Sequence, residues 1–278
     1  MLGLLLLLQV LASCLWLGHS EVVPSFKSPC SQVFYMDTPP SDSLNPTNAA
    51  RICQFYDNKY RFTTLYDRNN RIPVYSAYIY KPGHGDRSNS WFVEPQLIKH
   101  NYRRDMDTED SIVDTYGITS ADIGKSQAID KDYSDAQGLD RSHLCPSGHQ
   151  SGDDKKATFT LTNIVPLYSK LNQGGWRNYE DKTMAQKTQG CDKTYVITGA
   201  VPGNTYISDG RVNVPSHIWS ASCCVKGTTP IKAWGAIAEN DKNSNYVRDL
   251  ELWDLEQILS GLYGKPRITL FRNSCAKE

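Results

Sequence analysis

The sequence predicts an α+β fold with a mixed or antiparallel sheet and flanking helices. Three runs rich in β-branched and aromatic residues, 194–201, 216–225 and 231–239, are separated by turns that contain Gly, Pro or Asn. Residues 249–262 then place Leu and Ile at helical spacing, and the pattern stops near Gly264. Strands followed by interspersed helices are typical of the α+β class.

The first half of the chain carries weaker signals. Residues 71–81, RIPVYSAYIYK, alternate and are rich in β-branched and aromatic residues, which predicts a strand. The polar stretch 82–137 is interpreted as mostly loop, with a short helix around Ser120–Ile123. Further on, residues 158–161 are expected to form a brief strand and residues 176–186 a helix.

Residues 1–20 form an apolar run without a charged side chain and end in the small residues Gly18 and Ser20. This pattern predicts a secretory signal peptide, cleaved near Ser20/Glu21. A retained membrane anchor is the alternative, since the usual positive start is missing and the run approaches the length of a short span. The polar stretch that follows favours cleavage and secretion, with no stable association with the membrane.

Residues 21–278 are long enough for one large domain with a sizeable core. Neither a Gly/Ser- or Pro-rich linker nor an internal repeat divides them, so a single domain is expected. The oligomeric state is left open by the sequence.

Eight cysteines are present, and one of them lies within residues 1–20. An oxidising destination makes disulfides the expected state of the others, and the lack of a CxxC pair argues against structural zinc. Separate partners are expected for the adjacent Cys223 and Cys224. Seven is an odd number, so one thiol is expected to be free or intermolecular, and the connectivity stays open.

The densest set of polar motifs lies in the middle of the chain. DRSH at 140–143 is followed by NIVP at 163–166, LNQGGW at 171–176 and then Glu180. A His beside Arg offers a base near neutral pH next to a phosphate-binding cation. An Asn amide oxygen and a carboxylate are hard ligands suited to magnesium, which keeps most of its waters. Phosphodiester hydrolysis needs these groups together.

These motifs resemble the DNA/RNA non-specific endonucleases of the ββα-metal, or His-Me finger, superfamily. That family combines DRGH with N-[IV]-x-P and LNxGxW, and places a Glu eight positions after its metal-binding Asn. Asn172 and Glu180 keep the same separation. The resemblance spans about residues 71–239, and several linked motifs in order are far more specific than a lone DRxH.

Together with the predicted signal peptide, the resemblance implies a secreted, metal-dependent endonuclease that cuts DNA and RNA with little sequence preference. It implies that His143 deprotonates the attacking water and that Asn172 binds the metal, Mg²⁺ or another divalent cation such as Mn²⁺. Glu180 then corresponds to the carboxylate that holds a metal-bound water. Arg141 supports the site beside the base, and Asp140 orients its neighbours without reacting.

Three positions depart from the family pattern or are uncertain in register. Ser142 stands where the motif usually has Gly, so the backbone there must tolerate a side chain. Met184 stands where bacterial relatives carry a phosphate-binding Arg, for which Lys182 or Arg177 is a candidate replacement. The family's upstream Arg is assigned to Arg87.

Composition favours an alternative hypothesis. Thirty basic and thirty acidic residues give a formal charge of zero, whereas non-specific nucleic-acid binders usually have a basic excess. A nuclease fold retained as a weak or inactive module that binds nucleic acid or a protein is therefore the second interpretation. His149, six residues after His143, is interpreted as structural, because that spacing does not suit a zinc pair.

Overall fold

The structure is a computed structural model that describes residues 21–27, 30–271 and 275. The expected signal peptide, residues 1–20, lies outside the described residues. Within the part of the chain that is described, no helix combines the length and the apolar character needed to cross a membrane.

The centre of the fold is an eight-stranded sheet in which every neighbouring pair is antiparallel. In their order across the sheet, the strands are β1 (Val22–Val23), β2 (Ala49–Tyr56), β3 (Lys59–Asp67), β4 (Ile72–Ile79), β9 (Lys193–Val201), β12 (His217–Lys226), β13 (Thr229–Glu239) and β14 (Arg248–Leu250). The predicted strand at 71–81 is β4, and the three later β-rich runs are β9, β12 and β13, so these predictions are confirmed.

Smaller elements connect and cover the sheet. Three two-stranded pairs are β5 (Phe92–Val93) with β6 (Asp107–Thr108), β7 (Leu139–His143) with β8 (Ile164–Tyr168), and β10 (Thr205–Ile207) with β11 (Val212–Val214). The helices are α1 (Pro95–Ile98), α2 (Glu109–Tyr116), α3 (Ser120–Ile123), α4 (Gly152–Ala157), α5 (169–187) and α6 (Leu252–Leu262). The structure therefore confirms the α+β assignment and the short helix at Ser120–Ile123.

The strand predicted at 158–161 is wrong. Thr160 makes a single parallel bridge to Phe92, and the chain then turns through a 3₁₀ helix at Leu161–Asn163 before β8 begins. Phe159, Thr160 and Leu161 are all buried. Thr and apolar residues alternate here because both kinds of side chain are buried in a turn, and not because they lie on opposite faces of a sheet.

Helix α2 was missed within the stretch interpreted as loop. Its N-terminus is capped by Thr108 Oγ1, which accepts a hydrogen bond from Ser111 N. It ends at Gly117, whose φ of 62° is left-handed. Helix α5 is longer than predicted, and α6 starts three residues late because Arg248–Leu250 pairs with β13.

The sheet has a hydrophobic core on each face, and neighbouring residues of one strand contribute to different cores. Val196 and Ile218 belong to the core that includes Trp176 of α5, whereas Ile197 and Trp219 belong to the core that includes α6. The β7–β8 pair and α5 therefore lie together on one face of the sheet.

The same alternation explains the disulfides of adjacent cysteines. On β12, Cys224 lies in the core on the α5 side and bonds to Cys191, while Cys223 lies in the other core and bonds to Cys275. The expectation of separate partners is confirmed. Cys30 bonds to Cys53, which leaves Cys145, buried, as the free thiol among the described cysteines.

Candidate active site

The motif residues come together in a strand–strand–helix unit. Strands β7 and β8 pair with His143 opposite Ile164 and Asp140 opposite Leu167, and β8 leads directly into α5. The two strands thereby bring DRSH beside the helix that carries Asn172 and Glu180. This unit is the ββα arrangement that the resemblance implied.

Asp140 holds the start of α5. Its Oδ1 accepts a hydrogen bond from Ser169 Oγ at 2.6 Å, and its Oδ2 accepts from Asn172 Nδ2 and Gln173 Nε2, both at 2.9 Å. Burial favours the protonated acid, but these hydrogen bonds outweigh it, so the pKa of Asp140 lies below its usual value. Asp140 is therefore an ionised anchor for the start of α5.

This contact fixes the orientation of the Asn172 amide. An ionised carboxylate only accepts hydrogen bonds, so the amide nitrogen of Asn172 must face Asp140. The Oδ1 atom then points away from Asp140 and accepts no hydrogen bond from the described residues. A preoriented, unpaired amide oxygen is a suitable ligand for a hard divalent cation.

Two glycines of LNQGGW allow a loop to pack against α5. Gly175 N donates to Asn245 Oδ1, and a Cβ at either Gly174 or Gly175 would collide with Asn245. Lys170 Nζ adds a 2.7 Å hydrogen bond to Asn243 O. Asn172 is thus held by Asp140 and by a helix that is itself anchored.

His143 ends β7 in an aromatic environment. Its ring centroid lies 5.7 Å from that of Trp91 and 4.9 Å from that of Phe159, which it meets edge-on. Burial lowers the pKa of His143 to about 3, and the nearby Arg87 cation contributes in the same direction. The imidazole is therefore neutral at pH 7, the state in which it can accept a proton.

Arg141 projects on the same face of β7 as His143, two residues away. Its guanidinium donates to Asp130 Oδ1 at 2.6 Å and to Asp130 O at 2.9 Å. It also lies 5.0 Å from the Trp91 ring centroid and 5.3 Å from that of Tyr133. Arg141 is thus held by an ion pair with Asp130 and packs beside the candidate base, His143.

The upstream Arg87 reaches the same region from an exposed segment. Its guanidinium lies 5.1 Å from the Phe159 ring centroid, so the assigned register brings it close to His143. The segment is attached to α4 by two hydrogen bonds, Gly152 N to His84 O and Lys155 Nζ to Gly83 O.

Glu180 lies in the second of two π turns in α5, Asn172–Trp176 and Tyr179–Thr183. Such turns are frequent at functional sites. Burial raises the pKa of Glu180 to about 8, and the neighbouring Asp181 adds to the rise.

His149 Nε2 lies 3.0 Å from Glu180 O, and its Nδ1 lies 2.8 Å from Tyr78 Oη. His149 is therefore buried, with a partner at each ring nitrogen.

The raised pKa of Glu180 predicts a pH-dependent difference in stability between Glu180→Gln and wild type when metal is chelated. The folded protein binds its proton more tightly than the unfolded chain, so wild type loses stability as pH rises from about 4.5 through 8. Glu180→Gln is expected to match wild type at pH 5 and to exceed its free energy of unfolding by up to about 4 kcal/mol at pH 8.5.

Urea unfolding in EDTA at both pH values measures this difference. Exposed Glu239→Gln is the control, because a solvated carboxylate has no buried charge to relieve. If the difference in free energy of unfolding between Glu180→Gln and wild type did not change with pH, the pKa of Glu180 would be the same in the folded and the unfolded protein, and the prediction would be wrong.

Asn163 ties the backbone behind the site. Its Oδ1 accepts from Ser76 Oγ and Cys145 N, and its Nδ2 donates to Cys145 O and Thr158 O, all within 3.1 Å.

Ser142 is tolerated in β7, but its buried Oγ has no hydrogen-bond partner among the described residues. The substitution for Gly thus leaves the strand intact.

Met184 faces the core and not the site. It is fully buried, and its Sδ accepts from Ser222 Oγ of β12. Lys182 and Arg177 are exposed, and Arg177 pairs with Asp181 at 3.3 Å. The structure shows no hydrogen bond or ion pair from any of these three side chains to His143 or Asn172 among the described residues. Arg87 and Arg141 do lie near the base.

The donor set fits a divalent cation held by few protein ligands. The described residues contain no group of three or more His, Cys, Asp or Glu placed to hold a metal ion. The preoriented Asn172 oxygen, with the Glu180 carboxylate on the same helix, suits Mg²⁺ or Mn²⁺, which retain bound waters.

Comparison with known proteins defines the class. The family model for DNA/RNA non-specific endonucleases matches residues 39–261, and the chain belongs to this family. The fold is that of a ββα-metal nuclease.

Among individual proteins, the chain is 32% identical over 254 residues to the Endonuclease domain-containing 1 protein of Homo sapiens. That alignment covers 89% of the chain and 48% of the human protein, and the mouse protein matches at 30% identity over the same length. The chain thus spans about half the length of these relatives. Human mitochondrial Endonuclease G is 30% identical over 154 residues, 48% of each chain.

A solved structure supports the fold. The crystal structure of the EndoG/EndoGI complex matches with a TM-score of 0.52 and 16% sequence identity, covering 78% of this chain and 85% of that chain. At this identity the similarity is one of fold alone.

Proposed function

We propose that this chain is a secreted endonuclease that uses a divalent cation to hydrolyse phosphodiester bonds of DNA and RNA with little sequence preference. Residues 21–278 would form its single domain. Family membership supports the class of reaction. The observation that carries the proposal is the Asp140–Asn172 contact, which turns an amide oxygen outward beside the strand that ends in His143.

His143 is assigned the proton of the attacking water. Its Nε2 is buried without a hydrogen-bond partner among the described residues, so Nδ1 is assigned as the accepting atom. The imidazole is neutral at pH 7, and the negative charge of a bound phosphate makes it more basic, in the direction that a general base needs.

The other site residues would hold the cation and offset the negative charge of the phosphate. Asn172 would hold the cation, and Glu180 a water bound to it. When bound, the cation stabilises the charge that develops on the phosphate and on the leaving oxygen. Arg87 is exposed and would meet the phosphate, whereas Arg141 is fixed by Asp130 and supports the surface beside His143.

Neutral overall charge is compatible with this proposal, because the cations are concentrated locally. Arg87 lies near the base, and a bound divalent ion would add two further positive charges at the same place. Affinity for the phosphate backbone then depends on the site more than on the whole surface.

Secretion is supported by the three disulfides, which are typical of proteins from oxidising compartments. The expected cleavage near Ser20/Glu21 belongs to the same proposal.

The proposed activity is tested on the full chain, secreted by eukaryotic cells and purified from the medium. We expect it to nick and then linearise supercoiled plasmid, and to degrade a mixed-sequence RNA, in Mg²⁺ or Mn²⁺ and not in EDTA. Heat-denatured protein is the control for contaminating activity. Binding of nucleic acid without cleavage under any divalent ion would instead support the binding-module interpretation.

A further inference from the structure

The orientation of the His143 ring is not explained by hydrogen bonding. Neither ring nitrogen makes a hydrogen bond to a described residue. A general base usually has its second nitrogen held by a carboxylate or a carbonyl, which fixes the ring. Another contact must therefore hold the imidazole of His143.

Two aromatic rings supply that contact. Phe159 meets the imidazole at an interplanar angle of 78°, and Trp91 lies beside it at 40°. The Trp91 and Phe159 rings also pack on each other, with centroids 5.4 Å apart. Together they restrict the imidazole in two directions.

Trp91 is itself held from several sides. The residue after it, Phe92, donates from its backbone N to Phe159 O at 2.9 Å and pairs with Thr108 in the β5–β6 ladder. The Arg141 guanidinium lies 5.0 Å from the Trp91 ring centroid and is fixed in turn by Asp130. A rigid backbone and a cation–π contact therefore determine where the indole stands.

We infer that Trp91 is the positioning residue of the candidate base: its indole, packed against both His143 and Arg141, fixes the imidazole in the orientation needed to take the water proton. This inference rests on the proposed function. It also assigns a role to Asp130, which holds Arg141 against the indole.

The expected effect is on turnover more than on substrate binding. Without the indole, the imidazole gains freedom to rotate, and small misplacements of a catalytic group can cost about 10²-fold in rate. Trp91→Leu keeps apolar bulk but removes the flat ring, and is expected to lower kcat about 10–100-fold with less than about a threefold change in KM. Trp91→Phe restores a ring and is expected to recover most of kcat.

The activity arm measures kcat and KM for a fluorescent duplex oligonucleotide in Mg²⁺. Trp253→Leu is the matched control, because Trp253 is 59% exposed on α6, in the layer across the sheet from the site. Unchanged kcat in Trp91→Leu overturns the inference. A raised KM with unchanged kcat also overturns it, since that result would place Trp91 in contact with nucleic acid.

A second measurement does not depend on cleavage. In the ¹³C-labelled chain, the ring signal of His143 is identified by its loss in His143→Gln, and its chemical shift reports the ring current of Trp91. We expect Trp91→Leu to move this signal toward the value of a free imidazole, while Trp253→Leu leaves it in place. An unmoved signal overturns the inference even if wild type is active. A moved signal in a protein that never cuts supports the contact and contradicts only the proposed function.

Discussion

His143→Ala is expected to reduce cleavage by about 10²–10⁴-fold, the usual cost of removing a general base. The loss should appear in the rate and not in folding, because the imidazole makes no hydrogen bond to the described residues and packs against the rings of Trp91 and Phe159. Initial rates of supercoiled plasmid cleavage at saturating Mg²⁺ measure the effect. Circular dichroism and a gel-shift assay in Ca²⁺ measure folding and nucleic-acid binding separately.

His217→Ala provides the control for removing a histidine. His217 is partly buried on β12 and its Nδ1 contacts Ser216 Oγ, so it belongs to the sheet and not to the site. We expect that variant to cut at the rate of wild type. A folded His143→Ala protein that cuts within a few-fold of wild type would assign the base to another residue.

The chemistry of the site was predictable where it is local in sequence. DRSH occupies one strand, and Asn172 and Glu180 occupy one helix, so their spacing is set by secondary structure. The strands β4, β9, β12 and β13 were predictable for the same reason, since their alternation and composition are local properties.

The surroundings of the base were not predictable in this way. Trp91, Asp130 and Phe159 come from three separate segments, and only the tertiary fold brings them to His143 and Arg141. In the sequence, Trp91 stands close to the assigned Arg87, but this spacing does not predict that its indole packs against the His143 ring. Asp130 lies in a polar stretch in which many carboxylates look equivalent.

The two errors in the predicted secondary structure, at 158–161 and at α2, lie in segments whose sequence patterns are ambiguous. At 158–161 the alternation of Thr with apolar residues imitates a strand, yet the side chains on both sides are buried and Asn163 closes the turn behind them. Helix α2 depends on its caps, Thr108 and Gly117, more than on an apolar face, because only Ile112 is buried along it. Caps are short signals that polar loops also contain.

Asn172→Ala is expected to differ from His143→Ala by reducing both the rate and the apparent affinity for metal. Its amide oxygen is proposed as the direct protein ligand, and Asp140 holds it in place from the nitrogen side. At limiting Mg²⁺ we expect a loss of more than about 100-fold, larger than the roughly 10–100-fold cost of removing a residue that only supports a ligand. Plasmid cleavage rates measured against Mg²⁺ concentration give the two parameters separately.

Asp140→Asn tests whether the orientation of Asn172 matters as well as its presence. An amide at residue 140 can donate as well as accept, so the Asn172 side chain can turn and direct its nitrogen toward the cation. We therefore expect Asp140→Asn to shift the Mg²⁺ dependence in the same direction as Asn172→Ala but by a smaller factor. Asn178→Ala, at an exposed asparagine of the same helix, controls for the loss of an amide from α5 and should leave the curve unchanged. If Asn172→Ala lowered the rate equally at every Mg²⁺ concentration, Asn172 would act on the substrate or on the fold, and the cation would have to be held elsewhere.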